Sequence, residues 1–150
     1  MRPFYVADAS VLLKWLIPER PEEHFEQASA LMAAFAEDKL DLLQPPHWLA
    51  EVSAVLARES ADSAPEKIGL LHALEIPVSL GAEIYLTATR LSIRYGHHLF
   101  DTLYHAVAIE HRAVLVTADA RYYRKVRSHG AIMALADFVV DPGSDTAPAP

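Results

Sequence analysis

Two short apolar runs, Phe4-Tyr5-Val6-Ala7 and Ala113-Val114-Leu115-Val116-Thr117, each lead within two residues to an aspartate and then to a helical pattern. A buried strand feeding straight into a helix is the repeating unit of a parallel α/β sheet, because parallel neighbours need a crossover connection and not a hairpin. The intervening chain keeps that alternation. Val11–Leu16 reads as a helix stopped by Pro18, and Pro21–Ala36 as a second, with Phe25, Ala28, Leu31, Met32 and Phe35 at spacings of three and four. Asp41–Gln44 fits a short strand; Pro46 opens a helix running to Ser60, and Pro65 opens another. Pro77–Leu80 reads as a further strand, Ala82–Tyr95 and Asp101–His111 as helices, and Ala120–Ser128 as a helix that Gly130 terminates before the last strand, Ile132–Ala134. These elements predict an α/β fold with a parallel sheet covered on both faces. Residues 1–140 form one domain in this reading, and residues 141–150, with Pro142-Gly143-Ser144 and Ala147-Pro148-Ala149-Pro150, a flexible tail.

Composition narrows the function classes. The chain has 150 residues, 52% of them hydrophobic, enough for a single sizeable core. Cysteine is absent, which excludes disulfides and thiolate metal sites. The first residues carry no long apolar run of the secretory kind, and none approaches the ~18–20 residues of a membrane span. The expectation is a cytoplasmic protein. A net charge of −7 argues mildly against a nucleic-acid partner, but Arg121, Arg124, Lys125 and Arg127 stand together directly after Asp119.

Ligands of open parallel sheets bind beyond the carboxyl ends of the strands. Asp8 and Asp119 fall there, and Asp101, at the start of its helix, and Glu51, within another, are the acids an α/β chain would gather at the same edge. Converging carboxylates repel one another unless a cation neutralises them, and an all-oxygen set without cysteine suits a hard ion such as Mg²⁺. The competing role for Asp8, Asp101 and Asp119 is helix capping. Glu51 resists that explanation, since it lies mid-helix on a stripe with Ala54 and Val55. Ser10 and Thr117, each two residues from an aspartate, could hold a carboxylate or a bound water in place, or cap locally. His98, Asp101 and His105 at helical spacing leave a zinc or iron site conceivable, although no histidine accompanies the other acids. His105 would otherwise pack beside the site. Arg121-Tyr122-Tyr123-Arg124-Lys125-Val126-Arg127 mixes cations with aromatics, as a phosphate-binding, base-stacking segment does, or forms a solvated helix face. Trp15, Leu16, Phe25, Leu31, Met32 and Phe35 exceed what one small sheet face needs, so part of that region is expected to meet a partner.

These motifs resemble the PIN-domain family, and within it the VapC-type toxin ribonucleases of toxin–antitoxin modules. Val6-Ala7-Asp8-Ala9-Ser10-Val11 is similar to the family's opening Asp-x-Ser motif, and Pro46 to Glu51 to its proline-led helix with an acid. Phe100-Asp101-Thr102-Leu103-Tyr104-His105-Ala106-Val107-Ala108 resembles its Asp-x-x-Tyr-x-Ala-x-Ala helix, and Leu115-Val116-Thr117-Ala118-Asp119 its Thr-x-Asp strand end. Together they span residues 4 to 136. Two positions depart from the pattern: His105 replaces an aliphatic residue and Thr102 a small apolar one.

The resemblance implies a three-layer α/β/α sandwich, Mg²⁺- or Mn²⁺-dependent RNA cleavage, homodimerisation, and a small antitoxin covering the helical region. Asp8, Asp101 and Asp119 would then hold one or two ions, about 3.5–4 Å apart if paired, with Glu51 binding the second or orienting its water. The basic segment would hold the RNA backbone. Two other classes stay open. A Mg²⁺-dependent aspartyl-phosphate phosphatase also carries an Asp after its first strand, but Ser10 occupies the place of its usual second Asp. A catalytically silent RNA- or protein-binding module would leave the acids inert.

Overall fold

The computed structural model describes residues 1–17 and 23–142. Pro18 and Pro21, and the expected tail from residue 143 on, lie outside the described residues. Four parallel strands form the sheet: β1 (Phe4–Ala7), β2 (Asp41–Leu42), β3 (Val114–Thr117) and β4 (Ile132–Ala134), in the order β2-β1-β3-β4. Seven helices pack around them among the described residues: α1 (Ala9–Leu16), α2 (Phe25–Ala36), α3 (Trp48–Glu59), α4 (Ala64–Ala73), α5 (Glu83–Tyr95), α6 (Leu99–Glu110) and α7 (Ala120–Val126). The expected α/β/α sandwich is what the chain forms.

The strand order locates the ligand rim. From β1 the chain crosses to β2 on one side, then returns past β1 to β3 on the other, so connections reverse direction between β1 and β3. Such a switch point leaves a crevice at the carboxyl ends of its two strands. Tyr5 pairs with Val114 and Ala7 with Val116, so β1 and β3 end almost level. Asp8 N then donates to Val116 O at 3.0 Å, carrying the ladder one residue past β1.

Helix α6 forms the backbone of the core. Every residue from Thr102 to Ala108 is buried, because α6 lies between α5 and strands β1 and β3. Leu103, Ala106, Val107 and Ala108 face inward as their spacing predicts. The two departures from the motif are polar residues in that buried stretch, and both find partners, as buried polar groups must. Thr102 Oγ1 reaches the carbonyls of Leu99 and Ala88, at 3.0 and 2.9 Å, tying α6 to α5.

Several sequence expectations are corrected. Residues 77–80 form no strand; a single parallel bridge joins Val78 to Gln44. Pro45, Pro46 and Pro77 lack the N–H groups a longer ladder needs, which also confines β2 to Asp41–Leu42. Gln44 instead turns its buried side chain onto β1: its amide donates to Ala7 O at 2.8 Å and its carbonyl accepts from Ala7 N at 2.9 Å. That pair of bonds imitates a strand neighbour just before Asp8. The buried stripe of α3 is Trp48, Val52 and Leu56, while Ala54 is exposed and Glu51 lies at the stripe's edge. Helix α6 starts at Leu99 with His98 as its cap, so Asp101 lies inside the first turn. Helix α7 ends at Val126, and a 3₁₀ turn, Arg127–His129, carries the chain to Gly130.

The expected partner surface on the first two helices is largely core. Leu16, Leu31 and Met32 are buried, and Trp15 and Phe35 pack half-buried against the same cluster. Helices α1 and α2 pack on each other, which absorbs the apolar excess that spacing alone left without a partner. Phe25 remains exposed.

Candidate metal centre

Asp8 occupies the N-cap position of α1, yet its side chain makes no capping bond. Its Oδ2 accepts from Ser10 Oγ at 2.6 Å and from Thr117 Oγ1 at 3.0 Å. Each hydroxyl is itself fixed by a backbone donor: Ala118 N to Ser10 Oγ, and Asp119 N to Thr117 Oγ1, both at 3.0 Å. Both side chains therefore serve Asp8, and Thr117 also makes the local bond to the residue two positions on. One carboxylate oxygen is held by β3 and α1 together, and Oδ1 has no such donor among the described residues. Burial pushes the Asp8 carboxyl up to about 6. The Ser10 and Thr117 bonds pull against that shift, while the charges of Asp101 and Glu51 add to it.

Asp119 follows β3 and does cap its helix, Oδ1 accepting from Tyr122 N at 3.0 Å. That role leaves Oδ2 over. Asp101 reaches the same rim from the first turn of α6, and Oδ2 lies 3.0 Å from His97 Nε2. Burial raises its carboxyl; the neighbouring His97 counteracts this, and the charges of Glu51 and Asp119 reinforce it. Ligand-bearing atoms of His97, Asp101 and Asp119 lie within 4.8 Å of one another, close enough to share one ion.

Glu51 stands on α3, and its charge acts on both Asp8 and Asp101. His47 Nε2 lies 3.0 Å from its Oε2, but outside hydrogen-bonding directions. Glu51 Oε2, Tyr104 Oη and both ring nitrogens of His47 are buried without a hydrogen-bond partner in the protein. Burial, and then the charges of Glu51, Asp8 and Asp101, drive the Tyr104 hydroxyl far above its ordinary range. A buried carboxylate oxygen without a donor is costly, and a cation removes that cost. Among the described residues the group close enough to share one ion is His97, Asp101 and Asp119, while Asp8 and Glu51 lie outside it and act on the rim through their charge. The carboxylate oxygens there suit a hard divalent ion such as Mg²⁺ or Mn²⁺.

The histidine set considered from sequence does not assemble. His98 is exposed at the α6 cap, where its Nδ1 accepts from Phe100 N at 3.4 Å. His105 is fully buried on another side of α6, with Nε2 2.8 Å from Gly130 O and Nδ1 2.9 Å from Tyr122 Oη. The carbonyl can only accept, so Nε2 carries the proton and Tyr122 donates to Nδ1. His105 thus anchors Tyr122, the α7 residue on which His97 packs. His97, like His47 beside Glu51, is a site residue that the sequence reading missed. Its signal was available, since His97 and Asp101 are four apart astride a helix start, but His97 itself sits on a turn where periodicity says nothing.

Arg121 and Arg124 lie exposed on α7, and Arg127 lies exposed in the turn after it. Lys125 is half-buried, its Nζ 3.2 Å from His97 Nδ1. Tyr122 is buried. No helix among the described residues is long and apolar enough to cross a membrane.

Residues 5–127 match the PIN domain family. No curated protein sequence matches the chain. Solved structures share the fold at low identity. A toxin–antitoxin complex from Klebsiella pneumoniae is 17% identical, with a TM-score of 0.62 over 87% of this chain and 97% of that one. VapBC2 from Rickettsia felis, bound to a DNA fragment from its promoter, is 12% identical, with a TM-score of 0.64 over 87% and 96%. PAE2754 from Pyrobaculum aerophilum is 18% identical, with a TM-score of 0.64 over 91% and 92%. With the family match spanning both Asp8 and Asp119 on one continuous α/β unit, this chain belongs to the PIN domain family.

Proposed function

We propose that this protein is a Mg²⁺- or Mn²⁺-dependent endoribonuclease, the toxin of a type II toxin–antitoxin module. The observation that carries the reading is that ligand atoms of Asp101 and Asp119 lie within 4.8 Å of each other and of His97, with the charge of Glu51 acting on Asp101 and those of Glu51 and Asp101 acting on Asp8. PIN domains are generally nucleases, and the family match supports that class. The toxin–antitoxin complex from Klebsiella pneumoniae among the structural relatives supports the biological setting.

Asp8, Asp101 and Asp119 would hold the ion, with Glu51 completing the set or orienting a water. Such an ion supplies Lewis acidity toward the phosphodiester and an activated water nucleophile. The chain's own contribution is geometric. Ser10 and Thr117 fix Asp8, Tyr122 N fixes Asp119, and the level ends of β1 and β3 hold both carboxylates on rigid elements. Arg121, Arg124 and Arg127 would bind the RNA backbone, with Lys125 adding charge at the same edge. A small antitoxin and a second copy of the chain are the partners in this reading. Exposed Leu86 and Ile93 on α5, and Leu80 before it, offer apolar surface for such partners.

The test is to assay Asp8→Asn and Asp119→Asn on single-stranded RNA, with circular dichroism as a control for folding. Loss of cleavage by at least a hundredfold in folded variants supports the reading. Parental cleavage rates in both variants would return these residues to helix capping and local structure. Intact RNA alongside hydrolysis of phosphomonoesters by the wild type would favour the phosphatase class instead.

A further inference from the structure

His97 stands on the short turn between α5 and α6, and its surroundings fix both its backbone and its ring. Gly96 ends α5 in the left-handed region, at φ 58°, a conformation that favours glycine. His97 N then donates to Ser92 O at 3.2 Å, and Ser92 Oγ donates to His97 O at 2.6 Å. The imidazole packs on Tyr122 with ring centroids 4.6 Å apart. Its Nδ1 lies 3.2 Å from Lys125 Nζ and its Nε2 3.0 Å from Asp101 Oδ2.

The partners decide where the ring proton is. An ammonium has protons to give and no lone pair, so Lys125 donates and Nδ1 accepts. The remaining ring proton is then on Nε2, directed at Asp101. A nitrogen carrying that proton has no lone pair for a cation. By distance alone, His97, Asp101 and Asp119 form a mixed nitrogen–oxygen ligand set of the kind that suits softer transition metals. The Lys125 hydrogen bond withdraws the nitrogen from it and leaves oxygen.

We propose that His97 is a positioning residue of the metal centre and not one of its ligands. It holds Asp101 Oδ2 through Nε2–H, so that the other carboxylate oxygen is free for the ion, and Lys125 locks the required tautomer. Hydrogen-bonded partners of this kind orient metal-binding groups and tune their affinity. The inference rests on the metal-centre reading above and adds to it an all-oxygen coordination sphere and a task for Lys125 distinct from RNA binding.

The experiment is Mn²⁺ binding by calorimetry, with pulsed electron paramagnetic resonance of the Mn²⁺-loaded protein, on the wild type and on His97→Ala, His97→Gln, His97→Asn and Lys125→Met. The glutamine amide reaches toward the Nε2 position, whereas the asparagine amide ends near Nδ1. The wild type is expected to bind Mn²⁺ with no directly coordinated ¹⁴N. His97→Ala and His97→Asn should bind about 10- to 100-fold more weakly. His97→Gln should recover most of that loss, and Lys125→Met should weaken binding in the same direction as His97→Ala. A ¹⁴N coupling in the wild type that vanishes in His97→Ala would make His97 a ligand and overturn the proposal. Unchanged Mn²⁺ affinity in His97→Ala would reduce it to a packing residue. A wild type that binds no Mn²⁺ would instead overturn the metal-centre reading beneath it, so the two failures are distinguishable.

Discussion

Thr117, the last residue of β3, donates its hydroxyl to Asp8 Oδ2 at 3.0 Å across 109 residues of chain. Thr117 Oγ1 in turn accepts the backbone N–H of Asp119. One threonine side chain therefore sets the spacing between the two aspartates that end the central strands. Thr117→Val keeps the β-branched shape and removes the hydroxyl, so it isolates this bond. Asp8 loses a donor that stabilises its ionised form, and its carboxyl moves further up. Mn²⁺ affinity at pH 7, read by calorimetry, should fall about 10-fold. Ser10→Ala should act in the same direction through the 2.6 Å bond.

Asp8→Asn should firm up the metal-free protein. The folded-state carboxyl, at about 6, lies above the unfolded value near 3.8. The folded state therefore binds the extra proton between those values, and the wild type loses stability as pH rises from about 4 through 6. Asparagine has no charge to confine, so the variant should lack that loss. Urea unfolding of chelator-treated protein at pH 5 and pH 8 reads the difference. The variant's advantage from this source should be ~3 kcal/mol at pH 8 and about half that at pH 5.

His105 should impose the opposite slope. Burial holds its folded-state pKa below the ordinary imidazole value. Stability is present above the unfolded pKa of about 6.5 and is lost as pH falls through the lower folded-state value. His105→Ala removes both the Tyr122 and Gly130 bonds and opens a cavity, which should cost about 2–4 kcal/mol at pH 7. The penalty should shrink as pH drops below 6, which equilibrium unfolding across pH 5 to 8 would follow.

Arg121→Ala, Arg124→Ala and Arg127→Ala test the basic edge. Each removes one exposed cation from α7 or its following turn. If these groups neutralise RNA phosphates, binding should weaken for every sequence tested, and the salt dependence should flatten by about 0.7–0.9 in log–log slope for each phosphate left without its arginine. Fluorescence anisotropy with a catalytically inactive Asp119→Asn background measures both. An unchanged slope in the triple variant would remove α7 from the RNA path.

Asp8 and Asp119 were legible in the sequence because each closes a short apolar run, and the end of a parallel strand has a fixed meaning. Their shared position was legible for the same reason. The partners of a helix were not. The i, i+3, i+4 pattern around Glu51 fits a stripe through Ala54 and Val55, but the core takes the stripe through Trp48, Val52 and Leu56, one step around the helix. Leu16 and Leu31 look surplus until α1 and α2 pack together. Residues 77–80 look like a strand until the prolines around the bridge are counted against its ladder. His97 was hidden because its position comes from a turn, a glycine in the left-handed region and a lysine 28 residues away.

Whether the acidic rim works through a divalent ion on RNA is tested most directly by metal add-back. Purified protein stripped with chelator is mixed with a labelled single-stranded RNA, and cleavage is followed as Mg²⁺ or Mn²⁺ is restored. A metal-dependent rim predicts no cleavage in excess chelator, recovery that saturates with added Mg²⁺ or Mn²⁺, and no recovery in Asp119→Asn at the same concentrations. Full cleavage in excess chelator, or equal recovery in Asp119→Asn, would contradict it.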